Sequence, residues 1–401
     1  MKRDANLILA ARMADIEPFH VMDVQDRAHE LEAKGRRIIH MEIGQPDFPA
    51  PPPVAEAAIE AIRRRRLGYT ASIGIPELRR AISDYYRDRL GVAVPPSRIV
   101  VTAGASGAFL LVLGALVNPG DEVLLPDPCY PCNRHFVRLF EGRTRAIPVD
   151  ESRHYQLTDA DVRANWGRAT RGVLIASPSN PTGTMIPREQ LRAIIESVRR
   201  AGGFVVVDEI YQGLVYDGGA STVLELADDV FVVNSFSKYF NMTGWRLGWI
   251  VAPESHVREI EKLAQNAFIC PSAPAQYAAL AAFRADTLGV LEERRREFQR
   301  RRDYMVPALR ELGFRIPVMP QGAFYIYAGC ESFSADSADF ALRVLEEAGV
   351  AITPGLDFGS NRPEGHVRFA YTRSLEDLKE GVGSIARMLQ GSRGPLRSKP
   401  G

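Results

Sequence analysis

Cysteine is scarce: Cys129, Cys132, Cys270 and Cys330 are four in 401 residues, too few and too scattered for a disulfide framework. Cys129 and Cys132 have redox or metal spacing, but no second pair or histidine cluster completes a zinc site, so no metal is expected. Net charge is nearly absent as well. The 50 Lys and Arg against 49 Asp and Glu leave +1, which gives no argument for nucleic acid, an anionic membrane or an acidic partner. No apolar run approaches the length of a membrane span, and residues 7–11, behind Lys2 and Arg3, are too short a run for a secretory signal. No internal repeat or low-complexity block appears. A protein of the reducing cytoplasm, with neither nucleic acid nor membrane as partner, is the expectation that remains.

What the chain does have is an ordinary globular composition, 46% hydrophobic and 25% charged, and enough length for two domains. Helices are expected over residues 22–35, 54–66 and 76–90, with a short strand over 37–43 between the first two. The proline-rich turn after Gly44 marks a crossing between domains. From residue 98 short apolar strands alternate with helices: strands over 99–102, 122–125, 144–149, 172–176, 204–207, 230–233 and 247–251, helices over 105–116 and 188–200. That alternation predicts an α/β fold with a mostly parallel, helix-covered sheet, in which ligands gather at the carboxyl ends of strands. Beyond residue 275 long helices take over, at 276–285, 288–312, 336–348 and 374–389, with a strand over 323–327. The arginines at 294–296 have acids around them and read as a solvated helix face.

Residues 235–248, SFSKYFNMTGWRLG, follow one of the buried strands. A lysine there, Lys238, loses solvation, so its amine is easier to deprotonate and can condense with a carbonyl. Ser235 and Ser237 offer short-range donors and Arg246 a planar fork, a set suited to a phosphate. An amine for an aldehyde beside donors for a phosphate describes a pyridoxal phosphate site. A surface lysine and an ordinary ion pair would account for this stretch about as well.

Other strand ends add to the pattern. Ala105 and Ser106 lie in a small-residue turn opening a helix, where backbone N–H groups favour anions, although a tight turn needs the same residues. Asn180, between Pro178 and Pro181, can donate to a ring oxygen. Asp208 ends a strand, and a buried carboxylate needs a positive partner such as a protonated pyridine nitrogen; Tyr211 could reach the same ring. Tyr130 could stack on a planar ring or simply pack in the core. Arg368, in a short apolar strand, either faces solvent or is buried with an anion, and a bidentate guanidinium suits an amino-acid carboxylate.

In chain order, IGQPDF, GYTASIGIPELRRAI, VTAGASGAF, DPCYP, SPSNPTG, VVDEIY, SFSKYFNMTGWRLGW, PQGAFY, VAITPG and VRFAY closely resemble the class I/II pyridoxal phosphate-dependent aminotransferases of the aspartate aminotransferase fold, from about Ile16 to Leu389. The resemblance implies a large cofactor-binding domain at 49–290 and a smaller α+β domain made from both chain ends, 1–48 and 291–390, with 391–401 a mobile tail. It implies that Lys238 binds pyridoxal 5'-phosphate covalently and moves the substrate proton, that Asp208 pairs with the ring nitrogen, and that Asn180 and Tyr211 bond the ring hydroxyl. Tyr130 would stack on the ring. Ala105, Ser106, Ser235, Ser237 and Arg246 would hold the phosphate, and Tyr69 would reach the neighbouring site of a homodimer. Arg368 would clamp the substrate carboxylate, helped by Gly44 and Asn180.

The activity implied is transfer of an amino group from an L-amino acid to a 2-oxo acid, with 2-oxoglutarate as acceptor, by a ping-pong cycle. The phosphate loop departs from many members at Ala105 and Ser106, and no residue can be named that reads an acidic substrate side chain. A lyase, decarboxylase or synthase of the same fold uses the same motifs. A non-catalytic amino-acid-binding regulator is the remaining alternative; such proteins carry an N-terminal DNA-binding domain, for which a resemblance starting near Ile16 leaves no room.

Overall fold

Strand–helix alternation between residues 99 and 251 folds into one seven-stranded sheet, and the ends of its strands carry the chemistry. The computed structural model of the protein describes residues 9–64 and 67–392. Its elements in chain order are α1 (His20–Ala33), β1 (Ile39–His40), α2 (Pro52–Arg64), α3 (Pro76–Leu90), β2 (Ile99–Thr102), α4 (Gly104–Leu116), β3 (Glu122–Asp127), α5 (Cys132–Leu139), β4 (Arg143–Pro148), α6 (Asp159–Asn165), β5 (Thr170–Ala176) and α7 (Arg188–Arg200). They continue with β6 (Phe204–Asp208), β7 (Phe231–Ser235), β8 (Gly248–Val251), α8 (Glu254–Ala267), α9 (Ala273–Leu280), α10 (Ala285–Leu312), β9 (Tyr325–Gly329), α11 (Ser337–Arg343), β10 (Val350–Ala351), β11 (Thr353–Pro354), β12 (His366–Ala370) and α12 (Leu375–Ser392).

The large sheet runs β2-β8-β7-β6-β5-β3-β4, parallel throughout except at β8, which is antiparallel to both neighbours. The mostly parallel, helix-covered sheet expected from the sequence is therefore present. Its strands bury both faces: Val205 and Val207 of β6 point into one apolar cluster and Val206 into the other. Each such valine, fully buried, stabilises the fold by about 1.5–3 kcal/mol. A second sheet, β11-β12-β9, is antiparallel and sets Arg368 opposite Tyr327.

Several expected elements differ. The strand over 37–43 shrinks to β1, which pairs with β10, because the next residues turn their carbonyls to side chains instead: Glu42 to Thr353 and Arg368, Gly44 to Lys238. The helix over 276–285 ends at Leu280 in a tight turn, and extended Arg284 separates it from α10. The helix over 336–348 stops at Arg343 and closes in one wider turn before Gly349, whose φ is +67°. Helices α5, α6 and α8 were not expected; α6 is started by a reciprocal cap between Thr158 and Asp161.

The arginines of α10 are not all a solvated face. Arg294 donates to Pro49 O at 2.7 Å and Asn241 Oδ1 at 2.8 Å, and Arg295 to Val215 O at 3.1 Å, so both tie loops to the helix. Helix α12 continues through Gly391 and Ser392, the first two residues of the expected tail. The rest of that tail, and Arg65 and Arg66 at the end of the expected helix over 54–66, lie outside the described residues. No helix among the described residues is long and apolar enough to cross a membrane.

Candidate active site

The carboxyl ends of β5, β6 and β7 open into a cavity of about 290 Å³, closed on the other side by β12 and by the segments around Gly44 and Phe19. Lys238 lies three residues beyond the end of β7, and its Nζ donates to the Gly44 carbonyl at 2.7 Å. Burial and then the positive charge of Arg368 bring the amine down to about 8, against the opposing pull of Asp208. The lysine is thus held where a useful fraction is unprotonated near neutrality.

The two acids at the end of β6 have separate fates. Glu209 turns away and caps the turn after Thr222, accepting from Val223 N at 2.7 Å and from the Thr222 hydroxyl. Asp208 faces the cavity, where burial raises its carboxyl to about 7 although the Ile210 N–H at 3.0 Å and the charge of Lys238 pull it down. Among the described residues no cation forms an ion pair with it. A positive ring nitrogen is the kind of partner such a carboxylate lacks. Tyr211 is buried behind it, with its hydroxyl 2.8 Å from that of Tyr325.

At the other end of the cavity α4 begins with Gly104 in the left-handed region, φ +70°, so that Ala105 and Ser106 present the first turn to the cavity. A Cβ on Gly104 would stand 2.7 Å from Nη2 of Arg246, which shows how closely that guanidinium crosses the helix N-terminus. Ser235 Oγ lies 3.0 Å from Ser237 Oγ, and both serines line the same wall. Two hydroxyls, a guanidinium and free N–H groups at a helix start make an anion cradle.

Arg368 is buried, with Nη1 donating to Asn180 Oδ1 at 2.9 Å and Nη2 to the Glu42 carbonyl. Its guanidinium packs over the rings of Tyr325 at 4.3 Å and Phe358 at 4.9 Å, while its Nε is buried with no hydrogen-bond partner. Tyr130 lines the cavity and accepts from Cys132 Sγ at 3.2 Å. Of the residues singled out in the sequence, only Tyr69 lies away from this cavity; it is 84% exposed. Among the described residues no group of three or more His, Cys, Asp or Glu side chains is placed to hold a metal.

The residue types fit pyridoxal phosphate. The cavity is lined by a deprotonatable amine, an anion cradle, a buried carboxylate that no described cation pairs with, and a buried arginine. Sequence reasoning missed Tyr325, Glu42, Asp357 and the segment Phe19–Met22. Tyr325 is needed for shape: a Cβ on Gly44 would stand 1.7 Å from its hydroxyl, so only glycine lets that carbonyl reach Lys238 with Tyr325 in place. The quoted stretch PQGAFY contained Tyr325, but nothing local marks its role.

Comparison with known proteins gives a consistent result. The sequence profile of the family "Aminotransferase class I and II" matches residues 36–385. The chain is 38% identical over 381 residues to a valine–pyruvate aminotransferase of Mycobacterium tuberculosis, covering 94% of this chain and 98% of that protein. It is 35% identical over 385 residues to a (5-formylfuran-3-yl)methyl phosphate transaminase of Methanocaldococcus jannaschii, covering 95% of this chain and 100% of that one. The structure of an aspartate aminotransferase from Thermus thermophilus with maleate superposes with a TM-score of 0.90 at 31% identity, over 95% of this chain and 100% of that one.

Proposed function

The chain belongs to the class I and II aminotransferases and is an enzyme of that type, and from this premise we propose that it moves an amino group from an L-amino acid to a 2-oxo acid in a ping-pong cycle whose two half-reactions share one cavity. The observation that carries the reading is the gathering into that cavity of Asp208 from the end of β6, Lys238 from the segment after β7, Arg246 from the segment before β8 and Arg368 from the middle of β12. When bound, pyridoxal 5'-phosphate supplies an aldehyde for an amine and a ring that draws electrons from the substrate Cα.

The protein's own groups take the following parts. Lys238 binds the cofactor through Nζ and afterwards serves as the base at the substrate Cα. Asp208 would keep the ring nitrogen positive, Asn180 and Tyr211 would orient the ring hydroxyl, and Tyr130 would stack on the ring. The Ala105 backbone, Ser106, Ser235, Ser237 and Arg246 hold the phosphate. Arg368 takes the α-carboxylate, with Gly44 and Asn180 beside it. The exposed Tyr69 supports a homodimer in which it reaches the neighbouring site. Among the described residues, those within 49–290 form the large domain, the N-terminal segment up to residue 48 and residues 291–390 contribute the small one, and the enzyme works in the cytoplasm. The acceptor implied by the resemblance, 2-oxoglutarate, brings a second carboxylate into the cavity.

One consequence is pH-dependent. Because burial lowers the Lys238 amine to about 8, cofactor attachment to the cofactor-free protein should quicken with pH as the amine loses its proton, and level off above about 8. A rate flat from about pH 6 to 9 would contradict this role. The function itself is tested by giving the loaded protein a panel of L-amino acids with pyruvate or 2-oxoglutarate. A new oxo acid should be released in step with a new amino acid. Ammonia or carbon dioxide without amino transfer would point instead to a lyase or decarboxylase of the same fold.

A further inference from the structure

We propose that His40 stands as an imidazolium between Glu42 and Glu32 and so positions the Glu42 carbonyl against Arg368, the grip on the substrate α-carboxylate weakening when His40 loses its proton. The inference rests on the reading of Arg368 as the carboxylate clamp and adds a positioning residue behind it.

One short segment carries the contacts. The Glu42 carbonyl accepts from Arg368 Nη2 and, at 2.9 Å, from Thr353 Oγ1. Arg368 Nη2 also donates to Thr353 Oγ1 at 3.2 Å, so three bonds close a triangle around that carbonyl. Whatever fixes the Glu42 peptide therefore fixes the direction of the clamp. Backbone bonds to Ala351 and Ala370 hold the preceding residue, Met41; at Glu42 itself the side chain supplies the anchor.

That side chain depends on His40. Glu42 is fully buried, with Oε1 2.7 Å from His40 Nδ1 and Oε2 without a hydrogen-bond partner among the described residues. A carboxylate so enclosed needs a positive neighbour, and removing that neighbour is strongly destabilising. His40 Nε2 in turn lies 3.0 Å from Glu32 Oε1, so each ring nitrogen faces a carboxylate oxygen. A neutral imidazole has one N–H and would turn a lone pair towards one of the two acids. The hydrogen bond with Glu42 raises the imidazole above its usual range against the effect of burial, and Glu32 adds to it.

Other charged groups near the ring are engaged elsewhere or stand further off. The His29 ring of α1 is centred 6.1 Å away. Arg373, beyond β12, donates through Nε to the His40 carbonyl at 3.1 Å. Asp47, on the same hollow as His40, is taken by Arg301 of α10 at 2.8 Å. Glu42 and Glu32 thus hold the ring's proton. As pH rises through the raised value, Glu42 loses its counter-charge and its carbonyl the fixed position that orients Arg368.

The test compares binding with chemistry across pH. Protein loaded with pyridoxal phosphate is mixed with each of a panel of L-amino acids, and the fastest is followed from about pH 6 to 10. Loss of the visible absorbance against concentration gives a dissociation constant and a limiting rate. His40→Gln, which carries no charge, should weaken binding about fivefold or more at low pH, the lower end of coupling between linked sites. The native constant should rise to meet it as pH rises, with the two limiting rates within about twofold throughout. A gap that stays constant with pH, or no gap, overturns the inference and leaves the aminotransferase reading standing. Glu32→Gln leaves the ring in place and should move the native loss of affinity to lower pH; an unchanged pH dependence overturns the inference by itself. In the cofactor-free protein the His40 carbon resonance, identified by its absence from His40→Gln, should titrate above the ordinary histidine range, and titration at or below that range is equally contrary. No reaction with any amino acid overturns the aminotransferase reading, and this inference with it.

Discussion

Lys238→Ala should lower turnover on the order of 10⁵- to 10⁶-fold, as loss of an essential nucleophile does, and should abolish the visible absorbance of the loaded protein. The physical reason is specific to this amine. It is held against the Gly44 carbonyl at 2.7 Å and lowered to about 8 by burial, and alanine removes the amine to which the proposed function gives both cofactor attachment and the substrate proton. The alternative role, a lysine placed only to neutralise its surroundings, predicts something different. Removing it would change the melting temperature while leaving the absorbance and much of the turnover intact. Because Lys238 borders a cavity, the truncated chain should fold, and circular dichroism provides that control. Retention of both absorbance and turnover would sink the assignment.

Asp208→Asn should cost at least about 100-fold in kcat, or about 2.7 kcal/mol of transition-state stabilisation, with a smaller effect on cofactor affinity. Asparagine matches the aspartate in size but cannot hold a ring nitrogen protonated, so the electron-withdrawing power of the ring falls while its seat is unchanged. A second consequence appears in the cofactor-free protein. Burial raises the Asp208 carboxyl from its usual range to about 7, so the folded state binds this proton more tightly than the unfolded chain does. The carboxyl therefore supports the fold below its unfolded pKa, and that support is lost as pH rises through about 7. Asp208→Asn should accordingly be more stable than the native protein above pH 7, with the difference vanishing towards pH 4. Equal melting temperatures at pH 8 would show that the burial of Asp208 is not what raises it.

How much of this could be seen in the sequence depends on where each residue gets its role. Lys238, Asp208 and Asn180 follow apolar strands directly, so a strand-end argument finds them, and Arg368 is the lone charge inside a short apolar strand. Glu42 and Asp357 get their roles from distant packing. Asp357 meets the amides of His20 and Val21 across more than 330 residues of chain, and no local pattern encodes that. The reversed direction of β8 was also missed, although a signal existed. Parallel neighbours need a crossover that covers the sheet, and the link between β7 and β8 contains no helix longer than the short turn Thr243–Trp245. The strand over 37–43 failed for the opposite reason: its carbonyls serve the site instead of a ladder, so periodicity alone overstated it.

The central claim is that one cavity both holds the cofactor on Lys238 and takes an amino group from an amino acid. The most direct measurement mixes the loaded protein with an L-amino acid alone, with no oxo-acid acceptor present, and quantifies cofactor and product by chromatography. The account predicts one equivalent of pyridoxamine phosphate and one of the matching 2-oxo acid per chain, with the original form restored on adding a 2-oxo acid. Product formed over many turnovers with the cofactor unaminated would contradict it.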